Sequence, residues 1–193
     1  MDFPTGNLTF EVPSMNPKER LRELILYIAE VSRSDSRFGK TKLVKLLYVC
    51  DFESFRETGK PITGHKYVKL PNGPYPDNLN VLLREMVKAR DITIEEDPYY
   101  GYPYPQHRVV AQRHPNLESF STQEIADVDG FIRRFWEYSG TDMANLTHGI
   151  AWEVANMTEA IPYEASIISD EDLTQEDLDH INHLVQRYGI DPK

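Results

Sequence analysis

The run from Lys40 to about Thr58, KTKLVKLLYVCDFESFRET, constrains this chain more than any other segment. Gly59 and Pro61 follow it, the pair expected where a helix stops. Set on a wheel at about 100° per residue, Lys42, Lys45, Glu53 and Arg56 fall in one narrow polar stripe. Leu43, Val44, Leu46, Leu47, Tyr48, Cys50, Phe52 and Phe55 cover most of the rest. A helix apolar over that much of its circumference must sit at the centre of the fold. Asp51 breaks the pattern: it lands opposite the polar stripe, between Val44, Leu47 and Phe55.

The flanking segments read from local signals. Asn16-Pro17-Lys18-Glu19 starts a helix, with Asn as N-cap, Pro at the first helical position and Glu at the third. Leu21, Leu24, Ile25, Ile28 and Val31 then recur on one face. Residues 65–70 suggest a short strand, and Leu70-Pro71-Asn72-Gly73-Pro74-Tyr75-Pro76 a rigid turn in which Gly73 supplies a backbone geometry that other residues resist. Asp77 is placed to cap a third helix, Asn78 to about Ala89, with Leu79, Leu82, Leu83 and Met86 inward. Ile92–Glu96 and His107–Ala111 read as strands joined by a tyrosine-rich loop. Ser121-Thr122-Gln123-Glu124 is a capping box for a helix to about Tyr138, ended by Gly140. A further helix is expected from Thr141 to Asn156, with Met143, Leu146, Ile150 and Val154 inward. Ile161-Pro162-Tyr163-Glu164 reads as a loop, and a last amphipathic helix runs from about Thr174 to Gly189.

The fold class expected is α+β, mainly α: a helical domain with a small antiparallel β-hairpin or short sheet. The N-terminal half has a winged-helix-like order of elements. An irregular arm punctuated by Pro4, Gly6 and Pro13 occupies 1–15, one domain spans 16–168, and 169–193 forms a C-terminal helix packed on or extending it.

Composition narrows the function classes. Thirty-one acids against 21 bases give a formal charge of −10, and nucleic-acid affinity is mostly phosphate neutralisation by Lys and Arg. Without a segregated basic run, a nucleic-acid partner is not expected. The acidity favours solubility and attraction to a basic partner. No apolar run approaches the roughly 18 residues that span a bilayer, so no membrane partner is expected. The N-terminus lacks a secretory signal pattern, and a lone Cys50 fits a reducing cytoplasm.

Several residues are candidates for chemistry or recognition. A buried carboxylate needs a partner, so Asp51 reads first as a tether to an Arg, a Tyr or backbone N–H groups. Partner recognition and acid catalysis are the other readings. His148 and Trp152, one turn apart in the second half, are the tether expected. Tyr99, Tyr100, Tyr102 and Tyr104 crowd one loop, and tyrosines supply large contact area at low entropic cost. They either fold back on the hairpin or contact a partner, and Tyr75 joins them as a candidate contact. Nucleobase stacking would need a basic groove, and only His107 and Arg108 are near. His180 and His183 share a helix face but make a weak metal pair. No Ser/His/Asp order, HExxH or GxSxG occurs. No catalytic residue, cofactor or metal is expected.

Lys40-Thr41-Lys42-Leu43, Lys45-Leu46-Leu47-Tyr48, Asp51-Phe52, Thr58-Gly59-Lys60-Pro61-Ile62-Thr63-Gly64, Tyr67 and Gly73-Pro74-Tyr75-Pro76 closely resemble the Panacea domain. This is the SocA-like antitoxin family, which includes phage-associated GepA-type proteins. Leu146-Thr147-His148, Trp152 and Ile161-Pro162-Tyr163-Glu164 are similar to its C-terminal half, so the likeness spans about 20–168. It implies an antitoxin of a toxin–antitoxin pair that neutralises a cognate protein toxin by direct protein–protein interaction, the toxin being encoded by the adjacent gene. Two alternatives stand beside it: an adaptor delivering a toxin to an ATP-dependent protease, as SocA is described, and a winged-helix-like DNA-binding regulator.

Overall fold

The computed structural model describes residues 16–97, 105–147 and 150–167. Helix α1 (Pro17–Val31) begins as its local sequence dictates: the Asn16 side chain accepts the Lys18 N–H at 3.0 Å and Pro17 opens the first turn. Leu21, Leu24, Ile25 and Ile28 are completely buried, each stabilising by about 1.5–3 kcal/mol over an exposed side chain. Val31, expected on the same face, is exposed instead.

Helix α2 (Lys40–Thr58) occupies the centre and ends at Gly59 in the left-handed conformation. It packs against α1, a later pair of helices, two strands and the last turn of the described chain. Only the end of its polar stripe is solvated: Arg56 is exposed and Glu53 partly so. Lys42 and Lys45 are buried, and Asp51 is fully enclosed. The wheel places Lys42 and Lys45 correctly on one side, but other elements cover that side.

Strands β1 (Tyr67–Leu70) and β2 (Gly73–Pro76) pair antiparallel, so the segment expected to be only a turn is half of a hairpin. Gly73 has a φ of 100°, the geometry expected of it. The prolines sit where their missing donors cost nothing. Lys69 exchanges backbone bonds with Glu159 and Thr158 on the opposite side, so Lys69 and Pro74 form a non-hydrogen-bonded pair. By the alternation of an antiparallel ladder, Pro74 and Pro76 turn their nitrogens away from β1. Both prolines are buried. An N–H at either position would be stranded at a covered sheet edge.

Helix α3 (Leu79–Lys88) buries Leu79, Leu82, Leu83 and Met86 as patterned. Its start differs: Asn78, at φ 56°, is the cap residue, with no side-chain bond, and Asp77 instead donates its N–H to the Lys66 carbonyl at 2.8 Å. Strands β3 (Ile92–Asp97) and β4 (Gln106–Ala111) form a separate two-stranded antiparallel sheet. Asp91 at its base takes Arg22 at 2.6 Å and Arg113 at 2.7 Å, which ties the sheet to α1.

Helix α4 (Thr122–Arg134) carries the expected capping box of Ser121 and Glu124, and ends a turn earlier than Tyr138. Gly140 does not terminate it. It opens α5 (Gly140–Leu146) behind a second capping box of Ser139 and Asp142. A Cβ at Gly140 would lie 2.8 Å from Cβ of Thr41, so the residue allows α5 to abut the start of α2. The single helix expected over 141–156 is two, α5 and α6 (Ile150–Val154). Met143 is buried; the side chains of Leu146, Ile150 and Val154 lie outside the described residues. Strand β5 (Ala160–Ile161), expected as loop, adds to β1 and completes a sheet of order β2-β1-β5. A short 3-10 turn, Tyr163–Ile167, follows. The arm at 1–15 and the segment from 168 onward, including the expected last helix, lie outside the described residues.

Candidate functional site

Helix α2 projects three ionisable side chains into the protein, and each grips a different connection. Lys42 Nζ lies 2.6 Å from Asp35 Oδ2, in the α1–α2 link, and donates to the Trp136 carbonyl at 2.8 Å, in the α4–α5 link. Burial lowers its pKa, and the Asp35 carboxylate opposes that. Lys45 Nζ donates to the Asn72 carbonyl at 2.5 Å, in the β1–β2 turn. Asp51 holds the loop that leads from α2 to β1.

The contacts of Asp51 define its chemistry. Oδ1 accepts the Thr63 backbone N–H at 2.5 Å, and Oδ2 accepts the Thr63 hydroxyl at 2.5 Å. The Tyr67 hydroxyl lies 2.8 Å from Oδ2 and 2.9 Å from the Leu47 carbonyl oxygen. A phenol has one proton and cannot donate to both. The hydrogens balance if Asp51 is protonated: Oδ2–H donates to Tyr67, which donates to Leu47. Burial pushes the carboxyl up in the same direction, against the bonds from Thr63 and Tyr67. This bonding pattern suits a neutral, enclosed acid. An acid at 0% exposure has no access to a substrate.

Aromatic rings close this site. Phe52 stacks tilted on Tyr48 at 4.2 Å and on Tyr163 at 4.7 Å, and meets the edge of Tyr67 at 5.4 Å. Tyr163 donates to the His65 carbonyl at 2.5 Å, and burial beside Asp51 pushes its phenol well up.

Of the tether expected from the second half of the chain, only Trp152 is described, and it has other partners. Trp152 donates its indole N–H to the Leu70 carbonyl at 3.1 Å, and the Lys69 ammonium stands 4.2 Å over its ring. It supports the β1–β2 turn rather than Asp51. His148 lies outside the described residues, as do Tyr99, Tyr100, Tyr102, Tyr104, His180 and His183. Tyr75 is half-buried on β2 and donates to Asn80 Oδ1 at 3.0 Å. Cys50 is enclosed and burial pushes its thiol well up. Among the described residues no helix is long and apolar enough to cross a membrane.

The model of the family described as antitoxin SocA-like, Panacea domain, matches residues 43–153. This chain belongs to the SocA-like antitoxin family. No curated protein and no solved structure matches it. The matched part of this Panacea domain runs from α2 into α6, and it encloses Lys45, Asp51, Thr63, Tyr67 and the Gly73–Pro76 strand. Its signature residues are thus the internal ties of the scaffold. Lys42 and Lys45 escaped notice as buried groups because a lysine at the edge of an apolar helix face looks solvated. The signal that would have found Thr63 and Tyr67 was their place in the quoted motif, where each brings a hydroxyl to an apolar neighbourhood.

Lys45 gives a test of how this Panacea domain treats buried charge. Burial alone lowers its pKa from 10.5 to about 8. A lysine so depressed contributes stability above pH 10.5 that is lost as pH falls through about 8. At pH 7 the fold therefore carries the cost of a desolvated cation. Lys45→Met is expected to raise stability at pH 7 by about 1–3 kcal/mol, offset in part by the lost bond to Asn72. The gain should shrink as pH is raised towards 10. Urea titrations at both pH values measure it, and a variant less stable than the parent at pH 7 would refute the account.

Proposed function

We propose that this antitoxin neutralises a cognate protein toxin by direct binding and performs no catalysis of its own. One observation carries the reading: Lys42, Lys45 and Asp51 of helix α2 are 0–2% exposed and bonded to the chain's own loops. Groups committed inward in this way build a scaffold, and recognition falls to the surface around it. The tyrosine loop between β3 and β4, with Tyr75, supplies aromatic anchors of the kind that dominate interfaces. The formal charge of −10 would speed encounter with a basic toxin.

The experiment is co-expression with the product of the adjacent gene. Growth should be restored by the wild-type chain, and the two proteins should co-purify. Replacing Tyr99, Tyr100, Tyr102 and Tyr104 together by Ala should weaken capture at least a hundredfold. Neutralisation that persists in full with the quadruple variant removes the loop from the account. Neutralisation lost in cells without ATP-dependent proteases would favour the adaptor reading instead. A gel shift at physiological salt would favour the DNA-binding reading.

A further inference from the structure

Helix α3 buries one arc and exposes the other. Leu79, Leu82, Leu83 and Met86 face the core, whereas Asn80, Val81, Arg84, Val87 and Lys88 are exposed. At about 100° per residue, Asn80, Arg84 and Val87 fall within about 60° of one another, with Lys88 and Val81 beside them. The solvent side of such a helix is ordinarily polar. Here Val81 and Val87 are each 42% exposed, so two large apolar side chains flank one guanidinium. Two neighbouring elements extend this face. Asn80 Oδ1 accepts from Lys40 Nζ at 2.6 Å and from the Tyr75 hydroxyl at 3.0 Å, both at the surface. The start of α2, strand β2 and α3 thus converge on one amide oxygen.

The charge of this face specifies its occupant. Arg84 and Lys88 have no ion pair among the described residues. Lys40 commits one of its three donors, to a neutral amide. Burial lowers the Lys40 pKa, and the like charge of Arg84 lowers it further, with no carboxylate opposing them. Lys42, two residues on, has Asp35 in that role. Glu85, the one acid of α3, is taken by Lys18 at 2.7 Å. On a chain of formal charge −10 the face is a local basic exception. Phosphates would meet these cations too, but the valines favour apolar side chains, and the net charge repels a polyanion. A second copy of the same face would bring like charges together. From these observations we infer that the outer face of α3, with Lys40 and Tyr75, receives an acidic patch of the toxin. One carboxylate enters between Lys40 and Arg84, and apolar side chains pack on Val81 and Val87. Arg and Tyr are residue types that dominate interfaces. The inference rests on the toxin-binding reading and names one of its contact surfaces.

The test uses the full chain with the co-expressed product of the adjacent gene. A carbodiimide, which joins an amine directly to a carboxylate, should link Lys40 or Lys88 to an Asp or Glu of the partner. Arg84→Glu should weaken capture at least tenfold. Val81→Asp should weaken it by a similar factor, and an acid in the first turn suits the helix. Arg133→Glu makes the same charge change at an exposed position on α4 and should leave capture unchanged. A complex without that link, full capture by Arg84→Glu, or an equal loss with Arg133→Glu overturns the inference while leaving toxin binding intact. No complex with the wild-type chain sinks the toxin-binding reading and this surface with it. Three other outcomes overturn the assignment of the occupant. Links in the free chain from Lys40 to acids of residues 1–15 or 168–193 assign the face to the chain's own ends. Links between copies assign it to a second copy. A duplex DNA gel shift abolished by Arg84→Glu assigns it to nucleic acid.

Discussion

Lys42→Met should destabilise the fold by about 3–5 kcal/mol, the cost of leaving one partner of a buried ion pair alone. The pair is enclosed: the side chains are 1% and 4% exposed, with Nζ and Oδ2 at 2.6 Å. Removing the ammonium strands the Asp35 carboxylate and frees the Trp136 carbonyl, so two connections lose their anchor together. The partner variant tests the mechanism. Adding Asp35→Asn to Lys42→Met should recover most of the loss, because the stranded charge is then gone. Urea titration of both variants decides the matter. If the double variant is as unstable as the single, lost packing rather than lone charge is the cause. The contrast with Lys45→Met is the point: two buried lysines a turn apart have opposite signs, because only one has a carboxylate to answer to.

Asp51→Ala should cost about 3 kcal/mol or more, since a buried donor left unmade costs about 1–3 kcal/mol and a cavity adds to it. The Thr63 N–H is the donor left without a substitute. Asp51→Asn should cost only about 1 kcal/mol, the scale of the one hydrogen bond it loses. Its amide nitrogen can donate to Tyr67 and its oxygen accept the Thr63 N–H, while the Thr63 hydroxyl loses Oδ2 as its acceptor. The pH dependence discriminates further. A carboxyl whose folded pKa is raised from 3.8 contributes stability that is full below that value and is lost as pH rises through the folded pKa. Relative to Asp51→Asn, the parent should therefore lose stability as pH climbs from about 4 towards neutrality, by up to about 1.4 kcal/mol per pH unit. A parent that instead gains on the variant over that range would show that Asp51 is ionised in the fold.

Much of this was legible in the sequence where the determinants are local. The Asn16-Pro17 start, the Gly59 stop and the Ser121/Glu124 box each act within a few residues, and the helix ends they mark lie where the sequence places them. Asp51 was legible as a buried acid because the wheel surrounds it with apolar neighbours. Its partners were not, because the loop carrying Thr63 and Tyr67 reaches it only after α2 has ended and the chain has doubled back. The burial of Lys42 and Lys45 failed for the same reason: a wheel describes one helix, and what covers its flank is set by Asp35, Asn72 and Trp136 from elsewhere. Strand β2 was hidden by its prolines, which are ordinarily a reason to reject a strand and are compatible with one only at an edge. The division of α5 from α6 has no comparable local mark.

The central position of α2 has a further consequence for lifetime. Because one helix ties down the α1–α2, α4–α5 and β1–β2 connections and the loop into β1, peeling any of them open uncovers an ionisable group at α2. For the α1–α2 and α4–α5 connections that opening separates the Lys42–Asp35 pair and the Lys42–Trp136 bond, so these two connections are expected to open together rather than singly. Degradation that begins within them has no cheap entry point. The persistence of these two connections in a cell would be governed by how often they open together, and not by the loosening of either one.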